Sequence, residues 1–244
     1  MHVEHHHLPG HAIGRSMEVR LFGHDGQPVV VFPSQNGRVW DFEGFGMIEA
    51  CAPLIEAGRV RLFVVDGNDW ESWTNLSVGA DQRARRHLDY DRWVMEEAVP
   101  FVKDKTWRQT MWTTGCSMGA FHAANFFFRR PDVFDGVIAI SGLYDTRTFV
   151  GDFCNDDVYF NSPLKFLPGL GDQRVLDLYR RARIAFLVGQ GAWEEECLAD
   201  TRAVDRILAE KGVPATMDYW GHDVNHDWPW WRRMLPHALE RLGA

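Results

Sequence analysis

Apolar and polar positions alternate from Met17 to Gly23, with Met17, Val19 and Leu21 on one side and Glu18 and Arg20 on the other. A period of two predicts a half-exposed strand, here an antiparallel strand at the edge of a sheet. Beyond the Asp25-Gly26 turn the pattern changes to short unbroken apolar runs: Pro28–Pro33, Val60–Asp66, Phe134–Ser141 and Ala185–Gly189. Runs of this kind predict strands buried on both faces. Helical spacing covers Met47–Gly58, Asp81–Lys103, Glu196–Lys211 and Trp230–Leu242, with a last strand at Thr216–Trp220. In Asp81–Lys103 the inward face is Tyr90, Trp93, Val94 and Val102, and Pro100 interrupts the helix late. Strands alternating with helices at this spacing predict an α/β fold, a mostly parallel sheet with helices on both faces, as a single domain over residues 1–244.

One segment breaks the rhythm. Leu143–Gly171 has no clear period and carries Tyr144, Phe149, Phe153, Tyr159, Phe160 and Phe166. A long loop that follows a strand end is expected to arch over the ligand-binding end of the sheet and shape a pocket.

The chemistry centres on Gly115-Cys116-Ser117-Met118-Gly119. A strand-like stretch, Gln109–Thr114, precedes it and a helix-like one, Ala120–Phe128, follows, which is the setting of a nucleophile elbow. A serine hydroxyl is a weak nucleophile, so it must sit exposed on a sharp turn beside a base. Glycines two positions to either side let strand and helix approach, and the turn aims the Met118 N–H at a carbonyl under attack. Without an acid and a histidine further along, the same turn would be only a serine-capped helix start.

Both follow in the required order, serine, acid, histidine. After Ala185–Gly189 comes Gly189-Gln190-Gly191-Ala192-Trp193-Glu194-Glu195-Glu196, with three carboxylates where the orienting acid should stand. Glu194 occupies the third glycine position of a dinucleotide fingerprint, which argues against nucleotide binding. After the last strand, Gly221–Trp230 holds His222 and His226; His226 is the expected base. Their four-residue offset suits a metal on a helix, but Gly221, Asn225 and Pro229 predict a loop, so no metal and no cofactor are expected. Pro33-Ser34-Gln35-Asn36-Gly37 stands opposite the elbow, and the Gln35 N–H is the expected second oxyanion donor, with Ser34 beside it. Trp70, Trp73, Tyr144, Tyr159 and Phe160 are expected to wall the pocket, which favours short or aromatic acyl groups over long chains.

Composition narrows the partners. A net charge of −8 argues against nucleic acid or an anionic membrane surface, and no apolar run approaches membrane-spanning length. Cys51, Cys116, Cys154 and Cys197 form no CxxC pair and read as free thiols. With no secretory signal pattern at the start, a cytoplasmic location is expected. The His5-His6-His7 run reads as a short polar segment leading into the first strand rather than as a metal site. Self-association stays open.

Assembled, these residues resemble the "putative esterase" family of α/β-hydrolases, with its esterase D-type and feruloyl-esterase-like carbohydrate esterase members. The resemblance rests on Gly115–Ala120, Ser141-Gly142-Leu143-Tyr144-Asp145, Asn161-Ser162-Pro163, His226-Asp227-Trp228 and Trp231. It implies a serine carboxylic-ester hydrolase of α/β-hydrolase fold with a small-molecule ester substrate. By that resemblance the nucleophile falls on Ser117, the base on His226, and the acid on the Glu194–Glu195 pair, Glu195 being the first choice. The alternatives are a hydrolase-fold protein that binds a ligand or partner without chemistry, and a metal-dependent hydrolase.

Overall fold

The computed structural model describes all of residues 1–244. Eight strands form one sheet: β1 (Val3–Leu8), β2 (Met17–Phe22), β3 (Gln27–Phe32), β4 (Val60–Val65), β5 (Met111–Cys116), β6 (Phe134–Ile140), β7 (Arg183–Val188) and β8 (Thr216–Tyr219). Their order is β1-β2-β4-β3-β5-β6-β7-β8, with β2 antiparallel to both of its neighbours, β1 and β4, and every other pair parallel. This is the mostly parallel, helix-covered sheet that the pattern predicted, in the α/β-hydrolase arrangement that the resemblance implied.

The apolar runs are strands for the reason given by their residues. Along β3, Val30 and Phe32 join one core while Val29 and Val31 join the other; Leu62 and Phe63, Ile138 and Ala139, and Leu187 and Phe186 divide in the same way. Alternate side chains therefore bury on opposite faces, and a one-residue slip would exchange the two cores. Helix α1 (Met47–Glu56) and the C-terminal helix α7 (Trp228–Leu242) cover one face. The other is covered by α2 (Ala80–Trp93), α3 (Val99–Thr106), α4 (Met118–Arg129), α5 (Gln173–Arg181) and α6 (Glu195–Glu210). No helix is long and apolar enough to cross a membrane.

Three expectations are corrected. Met17–Phe22 is not the edge: β1 pairs with it in full register, from Val3 opposite Phe22 to Leu8 opposite Met17. The His5-His6-His7 run is thus part of the edge strand itself. Its polar composition hid it, because an edge strand with solvent on one side needs few apolar residues. Between α2 and α3 the backbone widens into a π turn at Val94–Ala98 rather than breaking at Pro100. Proline has no N–H to give, and the wider turn lets the helix run on to Thr106.

The 143–171 segment contains three single helical turns, Arg147–Val150, Asp156–Tyr159 and Pro163–Phe166. Its beginning, at Leu143, lines the cleft at Ser117. Val150 and Val158 bury against Met118 and Phe121 of α4. Asn161, fully buried, then ties the segment down: its Oδ1 accepts from Asn125 Nδ2 at 2.8 Å and faces His87 Nε2 at 3.2 Å.

Candidate active site

Strand β5 delivers Ser117 at the tip of a tight turn into α4, with φ +57° and ψ −121°. A non-glycine residue held there costs on the order of 1–3 kcal/mol and must be fixed by its surroundings. Two features fix it. The Ser117 N–H donates to the Ile140 carbonyl of β6 at 2.9 Å, and the Ser117 carbonyl accepts from the Ala120 N–H at 2.9 Å. A Cβ on Gly119 would stand 2.3 Å from the Phe32 carbonyl oxygen, and one on Gly115 2.4 Å from the Gly119 carbonyl carbon. Both positions exclude any side chain.

His226 Nε2 lies 2.9 Å from Ser117 Oγ, and His226 Nδ1 lies 3.3 Å from Glu194 Oε2. An ionised carboxylate only accepts, so Nδ1 carries the proton and Nε2 is left to accept from the serine hydroxyl. Backbone bonds lace the acid loop to the histidine loop: the Gly191 N–H donates to the Val224 carbonyl at 2.8 Å, and the His226 N–H to the Ala192 carbonyl at 3.0 Å. The Ala192 N–H also donates to Asn225 Oδ1 at 2.8 Å. The Trp231 ring meets His226 edge-on at 4.9 Å.

The expectation that Glu195 stands behind His226 is corrected by these distances: Glu194 does. Glu194 caps α6 with no exposed surface, whereas Glu195 opens the helix and points to solvent. Consecutive residues at a helix start diverge by about 100° around the axis, so only one of them can face the histidine. A left-handed Trp193, at φ +67°, makes the turn that brings Glu194 inward. Its other oxygen, Oε1, accepts from Ser141 Oγ at 2.6 Å and from the Gly189 N–H at 3.4 Å. Ser141 is itself left-handed, at φ +53°. Nothing in the sequence pattern assigned it a part beyond its place after β6.

Met118 and Gln35 carry the two backbone donors expected to receive an oxyanion. The Met118 N–H opens α4 and so has no acceptor inside the helix. The Gln35 N–H makes no hydrogen bond within the protein, and Gln35 is exposed. Half-buried Ser34 closes the turn by accepting the Gly37 N–H on its carbonyl at 2.8 Å. Sequence reasoning missed what holds this loop. The next residue, Asn36, is left-handed, at φ +56°, and its N–H donates to Asp69 Oδ2 at 3.2 Å. Asp69 Oδ1 in turn meets His122 Nε2 of α4 at 2.8 Å, both side chains being buried. The loop and the elbow helix are thus joined through one carboxylate. His222 is exposed and takes no part in the site.

The expected pocket walls are mostly elsewhere. Trp73 is buried against His87, Phe121 and Phe149, and Tyr144 is buried against Phe186. Half-buried Trp70 has the Arg15 and Arg38 guanidinium groups over its ring, at 5.1 and 5.0 Å from its centroid. Phe160 lines a separate cavity of about 480 Å³ with Leu88, Phe128 and Tyr179, away from Ser117, and Tyr159 packs edge-on against it. Tyr144 anchors the start of the long segment in the core instead of walling a pocket. The cleft at Ser117 holds about 300 Å³ and is lined by Leu143, Trp193, Glu195, Glu196, Cys197 and His226. Burial pushes the Cys197 thiol well above its usual range, and the Glu194 charge adds to the effect.

A parallel sheet with a strained serine elbow, a histidine within reach of the hydroxyl and a buried carboxylate behind it defines a hydrolase of the α/β class. The chain matches the family model described as "Putative esterase" over residues 11–242, and it belongs to that family. It is a serine esterase. Among solved structures it is similar to a ferulic acid esterase, at 16% identity and TM-score 0.76, covering 99% of this chain and 97% of that one. It is also similar to an S-formylglutathione hydrolase (FrmB) from Staphylococcus aureus, at 12% identity and TM-score 0.72, over 99% and 96% of the two chains. MPT51 (FbpC1) from Mycobacterium tuberculosis matches at 14% identity and TM-score 0.73, over 99% and 98%. No curated protein matches the sequence.

Proposed function

We propose that the protein hydrolyses small carboxylic esters with short or aromatic acyl groups through an acyl-enzyme carried on Ser117. The observation that carries this reading is the unbroken chain from Ser117 Oγ to His226 Nε2, and from His226 Nδ1 to Glu194. His226 takes the serine proton as Oγ attacks the ester carbonyl, and Glu194 stabilises the imidazolium that forms. The oxyanion is received by the N–H groups of Met118 and Gln35. His226 returns its proton to the departing alcohol, and water activated by the same imidazole then releases the acid.

The cleft supports the acyl preference. At about 300 Å³ it lies at the small end for ligand sites, and Leu143 and Trp193 supply its apolar wall. We place the enzyme in the cytoplasm on its four unpaired thiols, which suit a reducing compartment. The test is labelling by a fluorophosphonate together with hydrolysis of p-nitrophenyl esters from acetate to palmitate. Modification on Ser117, loss of both signals in Ser117→Ala with folding intact, and rates that fall toward palmitate are expected. A protein that neither reacts with the probe nor turns over any ester would be a hydrolase-fold binder instead, and rates that rise toward palmitate would refute the acyl preference.

A further inference from the structure

Beside the Glu194–His226 pair stands a third donor that the proposed reaction does not use. Cys197 Sγ lies 3.8 Å from His226 Nδ1, the same ring nitrogen that Glu194 Oε2 reaches at 3.3 Å. One donor atom from each of the three side chains falls within 4.8 Å of the other two. Thiolate, imidazole and carboxylate together make the donor set of zinc-like ions. With metal–sulfur bonds of about 2.3 Å and metal–nitrogen or metal–oxygen bonds of about 2.0–2.1 Å, a tetrahedral ion holds its sulfur and nitrogen ligands about 3.6 Å apart and its nitrogen and oxygen ligands about 3.3 Å apart. The observed separations come within a few tenths of an ångström of both.

The surroundings favour a cation. Glu194 holds Oε1 in its bonds to Ser141 and Gly189 and turns Oε2 toward His226 Nδ1, where a cation would take the place of the ring proton. Cys197 and His226 both line the cleft, so an ion arriving from solvent meets two of its ligands at the wall, past the carboxylates of Glu195 and Glu196.

We propose that Glu194, Cys197 and His226 form a binding site for a thiophilic divalent cation of the zinc class, and that its occupation switches the esterase off. The second half rests on the reading of Ser117 and His226 given above. A metal on Nδ1 takes the lone pair of that nitrogen, so the neutral ring must carry its proton on Nε2. Nε2–H then donates toward Ser117 Oγ and cannot accept its proton, and Glu194 no longer orients the ring. The proton leaving Nδ1 is matched by the one gained at Nε2, while the Cys197 thiol gives its proton to solvent. Binding therefore releases one proton, and the ion holds more tightly as pH rises.

Cadmium supplies a readout that does not depend on turnover. Titrating the protein with Cd²⁺ is expected to raise a thiolate-to-metal charge-transfer band in the ultraviolet that saturates at one equivalent. The band should persist in Cys154→Ala and vanish in Cys197→Ala, with Cys197→Ser as the second variant should alanine not fold. In parallel, Zn²⁺ should inhibit p-nitrophenyl acetate hydrolysis, chelator should reverse it, and Cys197→Ala should weaken inhibition at least about tenfold relative to its own metal-free rate. A band that is absent, or indifferent to Cys197, overturns the site. A Cys197-dependent band with undiminished hydrolysis overturns the switch, and the cadmium arm decides the site even if no ester is turned over.

Discussion

Ser141 Oγ donates its hydrogen bond to Glu194 Oε1 at 2.6 Å while accepting one from Trp231 Nε1 at 3.2 Å. The direction is forced, because an indole N–H can only donate and an ionised carboxylate can only accept. A single buried hydroxyl thus converts an indole donor on α7 into a donor for Glu194. Ser141→Ala leaves both neighbours short of a partner inside the protein. We expect a loss of about 1–3 kcal/mol of stability, read by chemical denaturation, and roughly a tenfold lower kcat.

Replacing the carboxylate itself tests the chain more severely. Glu194→Gln keeps the shape but offers His226 an amide, which favours the wrong ring tautomer. Its kcat for an activated ester should fall about 10⁴-fold. Glu195→Gln, at an exposed position, should change stability by no more than about 0.5 kcal/mol and leave kcat near that of wild type. Comparable rates in the two variants would remove Glu194 from the mechanism.

The Asp69 carboxylate holds the Asn36 N–H on one oxygen and His122 on the other. Asparagine offers one acceptor where aspartate offers two, so Asp69→Asn keeps both contacts only by forcing His122 into its other tautomer. If Asp69 fixes the loop that carries the Gln35 donor, kcat should drop by about 10²-fold with KM little changed. A purely structural role would lower the melting temperature and leave the kcat of the folded fraction intact.

His87 is buried, and that burial, with His122 and Arg129 nearby, holds its basicity well below the ordinary value of 6.5. As pH falls through about 6.5 the unfolded chain gains a proton that the folded chain refuses, so stability declines from there downward, by at most about 1.4 kcal/mol per pH unit. Above that pH both states are neutral and the term vanishes. Denaturation midpoints measured from pH 7.5 to 5 should show this slope in wild type and a flatter one in His87→Gln.

Much of this was legible because it is local. Unbroken apolar runs such as Pro28–Pro33 and Ala185–Gly189 can bury both faces only inside a parallel sheet, and Gly115-Cys116-Ser117-Met118-Gly119 carries its own turn geometry in its glycines. Chain order alone put an acid and a histidine after it. What escaped depends on direction and distance. Glu194 and Glu195 differ only in which way a helix start turns, which a left-handed Trp193 decides. Ser141, Asp69 and His122 act through partners 53 positions away in the chain, and no spacing rule reaches that far. Tyr144 and Trp73 misled because a large aromatic ring fills a core and walls a pocket equally well, and only packing separates the two.

The bare Cα of Gly119 rests against the carbonyl groups of Phe32 and Pro33, the point where β3 passes into the Ser34–Gly37 loop. Main chain touches main chain there, so the span between the nucleophile and the opposite loop is a property of the polypeptide framework rather than of any side chain. Changes at Leu143 or Trp193 can reshape what the cleft admits without moving that span. The enzyme's selectivity and its reaction are therefore open to independent change, one written in replaceable side chains and the other in a contact that tolerates no substitution.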